Sequence, residues 1–253
     1  LSIIQISKKA TKTKLALGYS DSLENTSVIA KRYNALAAIN GSFFKMKGPD
    51  PDHQPTGKAR SSVVPKHNGN RSIVYLRVAD SLISENTFAR DSLRRRHQQG
   101  IIAIAEGKLS ILNTISSNLY WERNISFENI IATGPVMLME GKEQPIPNDA
   151  FCKDRHPRTA VGKMADGTVL LVTVDGRTPE SVGMSIVELM RVMRWLGCSE
   201  AINLDGGGST TMFVAGQPEN GVVNHPSDNK RFDASGERPV ANVLLLLPKK
   251  NKP

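Results

Sequence analysis

Aromatic residues make up only 5% of this 253-residue chain. Base-stacking platforms for single-stranded nucleic acid need a denser supply. No nucleic-acid motif accompanies the basic residues either, so no nucleic-acid partner is expected. Long apolar runs are missing: a stretch such as Leu244–Leu247 is a strand's worth, far short of the ~20 residues that cross a bilayer as a helix. An integral membrane protein is therefore not expected. Cysteine is scarce, with only Cys152 and Cys198, which lack CxxC spacing and fit no zinc pattern. They either pair or remain buried free thiols, so they leave the compartment open. Acidic residues are outnumbered, 24 against 33 Lys and Arg, and the net charge of +9 favours phosphate-bearing or polyanionic partners in a general way. Much of that excess is local, at Lys8, Lys9, Lys12 and Lys14, at Arg94–Arg96 and at Lys249–Lys250, where runs of this kind read as solvated faces. Leu1 follows neither a Met nor a leader pattern, so a targeting segment is expected to have been removed.

What is present suffices for a substantial core. With 39% hydrophobic residues, the chain can bury a full core as one large domain or two intimate ones, and a single domain over 1–253 is the expectation carried forward. Its chemically densest stretch runs from Glu200 to Met212. Ala201, Ile202 and Leu204 read as a buried strand that stops at Asp205, and a carboxylate closing an apolar strand is hard to justify by packing alone. Gly206, Gly207 and Gly208 follow. Glycine takes φ > 0 cheaply and lets a backbone meet a ligand closely, and consecutive N–H groups in such a turn can form an anion nest. Ser209, Thr210 and Thr211 add hydroxyls before Met212 resumes a strand.

Along the chain, Ile4 and Ile6 followed by Leu15–Leu17 read as an opening hairpin. Asn25 or Thr26 caps a short helix over about 28–33, which delivers the strand Leu36–Asn40 and then Gly41-Ser-Phe-Phe44. Ala38-Ile39-Asn40 echoes Ala201-Ile202-Asn203, which places Asn40 and Asn203 at equivalent strand ends, each as a loop brace or a ligand contact. Residues 45–58 read as a rim loop; Asp50, Asp52 and His53 within it have the composition of any solvated turn. Strands are expected from Arg60 to Val64 and from Ser72 to Val78, and a hairpin joins Ile101–Ile104 to Leu109–Leu112. Residues 80–99 carry no sustained apolar stripe, and Ala132–Met139 is a turn into a strand. The second half is more regular. Val169–Val174 is an apolar strand ending at Asp175-Gly-Arg177, and Ser185 with Glu188 forms a capping box for a helix to about Leu196, stopped by Gly197. The last strand begins near Arg238. Many strands, two recognisable helices and hairpin connections predict an α+β fold: a mixed, largely antiparallel sheet with a few helices packed on it and the site at strand ends.

Polar clusters thus close four strands, at Asn40, Arg158-Thr159, Asp175-Gly-Arg177 and Asp205, with Arg238 before a fifth. Taken singly, each is as easily a turn or an exposed flank. Together they fit a sugar-phosphate site, with arginines as planar forks for phosphate and two aspartates to divide acid and base roles.

Asn40-Gly-Ser-Phe-Phe44, Arg158-Thr-Ala-Val-Gly162, Val174-Asp-Gly-Arg177, Asn203–Met212 and Arg238-Pro-Val-Ala-Asn242 occur in this order. This pattern resembles the phosphodiester glycosidase family, clearest over 28–44 and 132–247. The resemblance implies hydrolysis that releases an N-acetylglucosamine-like sugar from a sugar-1-phosphodiester by cleavage of the anomeric C–O bond. It implies Asp205 and Asp175 as catalytic residues. It places Asn40, Arg158, Thr159, Asn203, Gly206, Gly207, Gly208, Ser209, Thr210 and Arg238 in the substrate pocket, with Arg158 or Arg238 on the phosphate. It implies a secreted or periplasmic member acting on a small or polymer-linked sugar phosphodiester. No cofactor is expected and no metal ligand is assigned, although a divalent metal stays open. Two other readings compete: a non-catalytic glycan or cell-wall binding module, and a metal-dependent phosphodiesterase that cleaves P–O.

Overall fold

The computed structural model describes residues 1–46, 70–88, 93–114 and 117–249, and all strand pairings within them are antiparallel. Three sheets form. The largest has the order β1 (Ser2–Ile6), β12 (Val169–Val174), β11 (Arg158–Met164), β13 (Cys198–Asn203), β9 (Val136–Met139), β10 (Lys142–Glu143). The second runs β14 (Met212–Val214), β3 (Ala37–Asn40), β15 (Val240–Pro248), β2 (Thr13–Glu24). The third runs β5 (Ser81–Ser84), β4 (Leu76–Val78), β8 (Asn129–Thr133), β6 (Gly100–Ala105), β7 (Lys108–Asn113).

All three sheets turn apolar side chains into one cluster, with Ile39 and Leu244 from the second, Ile102 and Ile131 from the third, and Val161 and Ile202 from the first. Each such residue is fully buried, a transfer worth about 1.5–3 kcal/mol per side chain. The outer face of the first sheet is covered by α3 (Ile186–Trp195), whose Ile186, Leu189, Met190 and Met193 lie on one helical stripe against Leu170, Val172 and Val174. With both faces covered, β12 is buried along its whole length, which is why it reads as an unbroken apolar run. Cys152 and Cys198 are free thiols in this same layer, and burial pushes their pKa values up to about 12 and about 11. The outer face of the second sheet is covered by α1 (Thr26–Arg32) through Ile29 and Ala30.

Local signals are met where they were strongest. Ser185 Oγ accepts from Glu188 N and the Glu188 carboxylate accepts from Ser185 N, completing the capping box. Glu106 and Gly107 both take φ > 0 in the β6–β7 hairpin, as a tight two-residue turn requires. The opening hairpin does not form. Strand β1 pairs with β12, matching Ile4 to Leu171, while β2 pairs with β15, matching Leu17 to Leu244. A hairpin of the two would leave each as a lone ribbon, whereas each instead extends a sheet that already has a core face. Strand β5 arises within 80–99, where no stripe signalled it, and the expected strand from Ser72 shortens to β4 plus a bridge between Phe44 and Ser72. Residues 60–64, expected as a strand, and most of the rim loop lie outside the described residues.

Antiparallel pairing of β11 with both β12 and β13 sets the start of β11 beside the ends of its neighbours: Arg158 faces Val174, and Ala160 faces Asn203. The polar strand ends therefore share one edge of the sheet.

Candidate active site

Beyond Asn203 the chain crosses from the first sheet to the second. Leu204 N donates to Thr159 O at 2.8 Å, and Asp205 N donates to Gly41 O at 3.1 Å. Asn40 Nδ2 donates to Asp205 O at 2.8 Å, while Asn40 Oδ1 accepts from Thr159 Oγ1 at 2.7 Å and from Thr211 N at 3.1 Å. Asn203 Nδ2 donates to Gly134 O at 3.0 Å and to Leu204 O at 2.6 Å. Asn40, Thr159 and Asn203 thus brace the loop on both sides of Asp205, and the two asparagines occupy matching strand ends.

The glycine turn differs from an open nest. Gly206 N–H donates to Asp205 Oδ1 at 2.9 Å and Gly207 N–H to Pro157 O at 2.9 Å, while Ser209 N and Thr210 N bond back into the turn. Of the three glycines, Gly208 alone has an amide with no acceptor among the described residues. The glycines serve instead by lacking side chains. A Cβ on Gly207, where φ is 61°, would lie 3.0 Å from both terminal nitrogens of Arg177. A Cβ on Gly208 would lie 2.5 Å from Arg238 Nη2 and from Asp228 Oδ1. Two guanidiniums therefore rest directly on the turn. Arg238 is held there by Asp228, which accepts from its Nε at 2.9 Å. Arg177 is exposed, sits at φ 65° and has no hydrogen-bond or ion-pair partner among the described residues.

Arg158 is placed differently from expectation. It is 1% exposed, with Nε donating to Met184 O at 2.8 Å and Nη2 to Phe151 O and Asp154 O at 2.6 and 2.8 Å. Its side chain projects from the start of β11 toward α2 (Ala150–Lys153), where the Phe151 ring lies 4.7 Å from its guanidinium carbon. Those bonds hold Nε and Nη2, while Nη1 is buried with no partner among the described residues; the cation that lies against the turn beside Arg238 is Arg177. The apolar strand running into Asp175-Gly-Arg177 was the signal for it.

Asp205 is half-buried, and burial raises its pKa from 3.8 to about 6. The Ser209 hydroxyl, which leans on the carboxyl without a bond of regular geometry, the Gly206 N–H and the charges of Arg238 and Arg177 all pull the other way. A carboxyl poised near neutral pH between two cations is what a general acid or base requires. Thr210 Oγ1, Thr211 Oγ1 and Asn203 Oδ1 are buried nearby without a protein partner among the described residues, and such orphaned groups concentrate at working sites.

Asp175 closes β12 at 7% exposure, and its carboxylate is occupied. Oδ1 accepts from Asn224 Nδ2 at 3.0 Å and from His225 N at 2.9 Å, and Oδ2 faces His225 Nδ1 at 3.2 Å. Asn224 also bonds Thr210 O at 3.1 Å and Met212 N at 2.7 Å, tying this pair to the glycine loop. Asn224 and His225 lie in a polar stretch without periodicity, which carries no sequence signal for a site. Among the described residues no group of three or more His, Cys, Asp or Glu is arranged to hold a metal, and no helix is long and apolar enough to cross a membrane. Asp50, Asp52 and His53 lie outside those residues.

A carboxyl and two guanidiniums thus gather around one glycine turn at the strand ends. The phosphodiester glycosidase family model matches residues 33–247, and the chain belongs to that family. The chain is 39% identical over 72 residues to mouse N-acetylglucosamine-1-phosphodiester alpha-N-acetylglucosaminidase, a match covering 28% of this chain and 13% of that protein. A prophage-derived uncharacterized protein of Bacillus subtilis is 40% identical over 92 residues, covering 36% of this chain and 13% of that protein. The matched stretches thus span a small part of these relatives. The catalytic domain of the zebrafish N-acetylglucosamine-1-phosphodiester alpha-N-acetylglucosaminidase superposes with a TM-score of 0.67 at 19% identity, over 98% of this chain and 76% of that one. A hypothetical protein from Synechocystis does so at 0.62 and 13% identity, over 98% and 59%. At these identities the structural likeness shows the fold.

Proposed function

We propose that this protein releases an N-acetylglucosamine-like sugar from a sugar-1-phosphodiester by breaking the bond between the anomeric carbon and the bridging oxygen. The observation that carries the reading is the convergence of Arg177 and Arg238 on Gly207 and Gly208, two and three residues past the half-buried carboxyl of Asp205. The two forks hold the phosphate, and Asp205 faces the sugar carbon where positive charge develops in the transition state. Asp175 stands behind the cleft wall, within the same hydrogen-bonded unit. A phosphate ester departs readily, so its bridging oxygen needs less protonation than an ordinary glycosidic oxygen. Carbon attack is favoured over phosphorus attack because a carboxylate attracts a cationic sugar centre and repels an already anionic phosphate. The reaction is placed in a secreted or periplasmic setting, where the net charge of +9 suits anionic envelope polymers.

Turnover of N-acetylglucosamine 1-(methyl phosphate) in heavy-oxygen water tests this, in parallel runs with and without chelator. Label is expected in the free sugar, read before its anomeric oxygen exchanges, and in both runs. Label in methyl phosphate overturns the glycosidase reading.

A further inference from the structure

The imidazole of His225 is tied to the loop system of Asp205 through Asp175 and Asn224, and it is held more tightly than an ordinary surface histidine. Its side chain is 39% exposed, yet three constraints fix it. Its backbone N–H bonds Asp175 Oδ1, its Nδ1 faces Asp175 Oδ2 at 3.2 Å, and its ring stacks on Phe232 with centroids 3.8 Å apart and planes 13° from parallel. Asp175 is itself fixed by Asn224, which is 2% exposed and bonded to Thr210 and Met212 on the glycine loop. The chain of contacts from Asp205 along the loop to Thr210, then through Asn224 and Asp175 to His225, registers the ring against the site.

The direction of the ring follows. A carboxylate whose Oδ1 already takes two N–H donors offers Oδ2 as an acceptor, so Nδ1 carries the proton and Nε2 keeps its lone pair. Because Nδ1 is turned inward to a buried carboxylate, Nε2 lies on the exposed edge of the ring. A base tied by hydrogen bonds to the Asp205 loop, with its tautomer set by a third group, is the arrangement that activates a nucleophile. Asp175 cannot take that part itself, since three donors already occupy it.

We propose that His225 accepts the proton of the water that attacks the anomeric carbon, with Asp175 as its positioning residue; this rests on the glycosidase reading above. The water oxygen bonds to the anomeric carbon, and one water proton passes to Nε2 and then to solvent. The bond from that carbon to the bridging oxygen breaks, its electron pair leaving with the phosphate monoester.

The test compares the full chain with His225→Ala and with His225→Ala/Asp175→Asn, on N-acetylglucosamine 1-(methyl phosphate), with and without added imidazole. His225→Ala is expected to keep its thermal transition and KM while kcat falls on the order of a hundredfold or more. Imidazole, entering the slot between Asp175 and Phe232, should restore kcat at least about tenfold and saturably, and the Asp175→Asn change should remove that rescue. A structural role would not respond to a soluble base. Wild-type kcat in His225→Ala, or a loss that imidazole leaves untouched, overturns the assignment of His225 while wild-type turnover keeps the glycosidase reading standing. A wild type that releases no sugar overturns that reading and this proposal with it.

Discussion

Replacing Asp205 with asparagine separates what this carboxyl does in the reaction from what it does to the fold. The interval between 3.8 and about 6 corresponds, at 1.36 kcal/mol for each pKa unit, to about 3 kcal/mol by which the folded protein disfavours the ionised form. The group is half-buried, so solvent screening reduces the realised figure to about 1–2 kcal/mol. Asparagine keeps an oxygen for the Gly206 N–H and carries no charge at any pH. Asp205→Asn should therefore be more stable than wild type at pH 8 by about 1–2 kcal/mol, or about 2–8 °C in Tm for a chain of this size. The same substitution should lower kcat on the order of a hundredfold or more.

The pH dependence gives the sign an independent check. The folded pKa of Asp205 lies above the unfolded one, so between about 4 and about 6 the folded state holds a proton that the unfolded chain has released. Stability contributed by this group therefore falls as pH rises through that window. The variant lacks that slope. Urea unfolding of both proteins at pH 4, 6 and 8, followed by tryptophan fluorescence, should show the two curves together at pH 4 and the variant ahead at pH 8. A variant that is less stable at pH 8 would make ionised Asp205 a brace, and a kcat within a few-fold of wild type would remove it from the chemistry.

Gly207→Ala meets φ 61° and Arg177 at 3.0 Å, so it should lose about 1–3 kcal/mol of stability and raise KM as Arg177 is pushed off the turn, seen in one set of melts and steady-state kinetics. Gly208→Ala sets a methyl 2.5 Å from Arg238 and Asp228 and should lower kcat/KM about tenfold or more with a smaller change in Tm, since its backbone is unstrained. Glu188 is held at about 2, chiefly by its bonds to Arg155 and then by the Ser185 N–H. Its ionised form thus contributes stability above pH 4.5 that is lost as pH falls toward 2. Glu188→Gln should cost about 1 kcal/mol or less at pH 7 and nothing at pH 2, measured by urea unfolding at both.

Elements whose cause is local were legible in the residues. The helix α3 announces itself through Ser185, Glu188 and the spacing of Ile186, Leu189, Met190 and Met193, all within two turns and a cap. Strand ends at Asp175 and Asp205 were legible because a carboxylate stops an apolar run. Strand partners were not: alternation in β1 shows that one face is buried but not which strand lies alongside it. Asn40 and Asn203 were ambiguous for a different reason. An amide can spend the same donors and acceptor on a backbone or on a ligand; the structure shows the Nδ2 groups bonded to Asp205 O, Gly134 O and Leu204 O, with Asn203 Oδ1 unpartnered among the described residues. His225 was beyond reach because its significance comes from a carboxylate 50 residues away, and no periodicity links the two.

Arg158 and Arg177 are the same residue type set at neighbouring strand ends, and the structure makes opposite predictions for them. Arg158 donates to the carbonyls of Met184, Phe151 and Asp154 from a position 1% exposed, and burial draws its pKa down to about 10, still well above neutrality. Arg158→Met would strand those acceptors, at about 1–3 kcal/mol for each that water cannot reach. A net loss of about 1–3 kcal/mol is expected, because the same change removes a desolvated guanidinium whose Nη1 has no partner among the described residues. Arg177 is exposed and holds nothing in place, so Arg177→Lys should shift stability by no more than about 0.5 kcal/mol. Lysine keeps the charge but not the planar fork. The kcat/KM for a sugar-1-phosphodiester should therefore fall about 10–100-fold, equivalent to about 1.4–2.7 kcal/mol of transition-state binding. Urea unfolding and steady-state kinetics on the two variants read both effects. If Arg177→Lys keeps full kcat/KM while Arg158→Met abolishes it without loss of stability, the phosphate is held from the wall side and the site must be redrawn around Arg158.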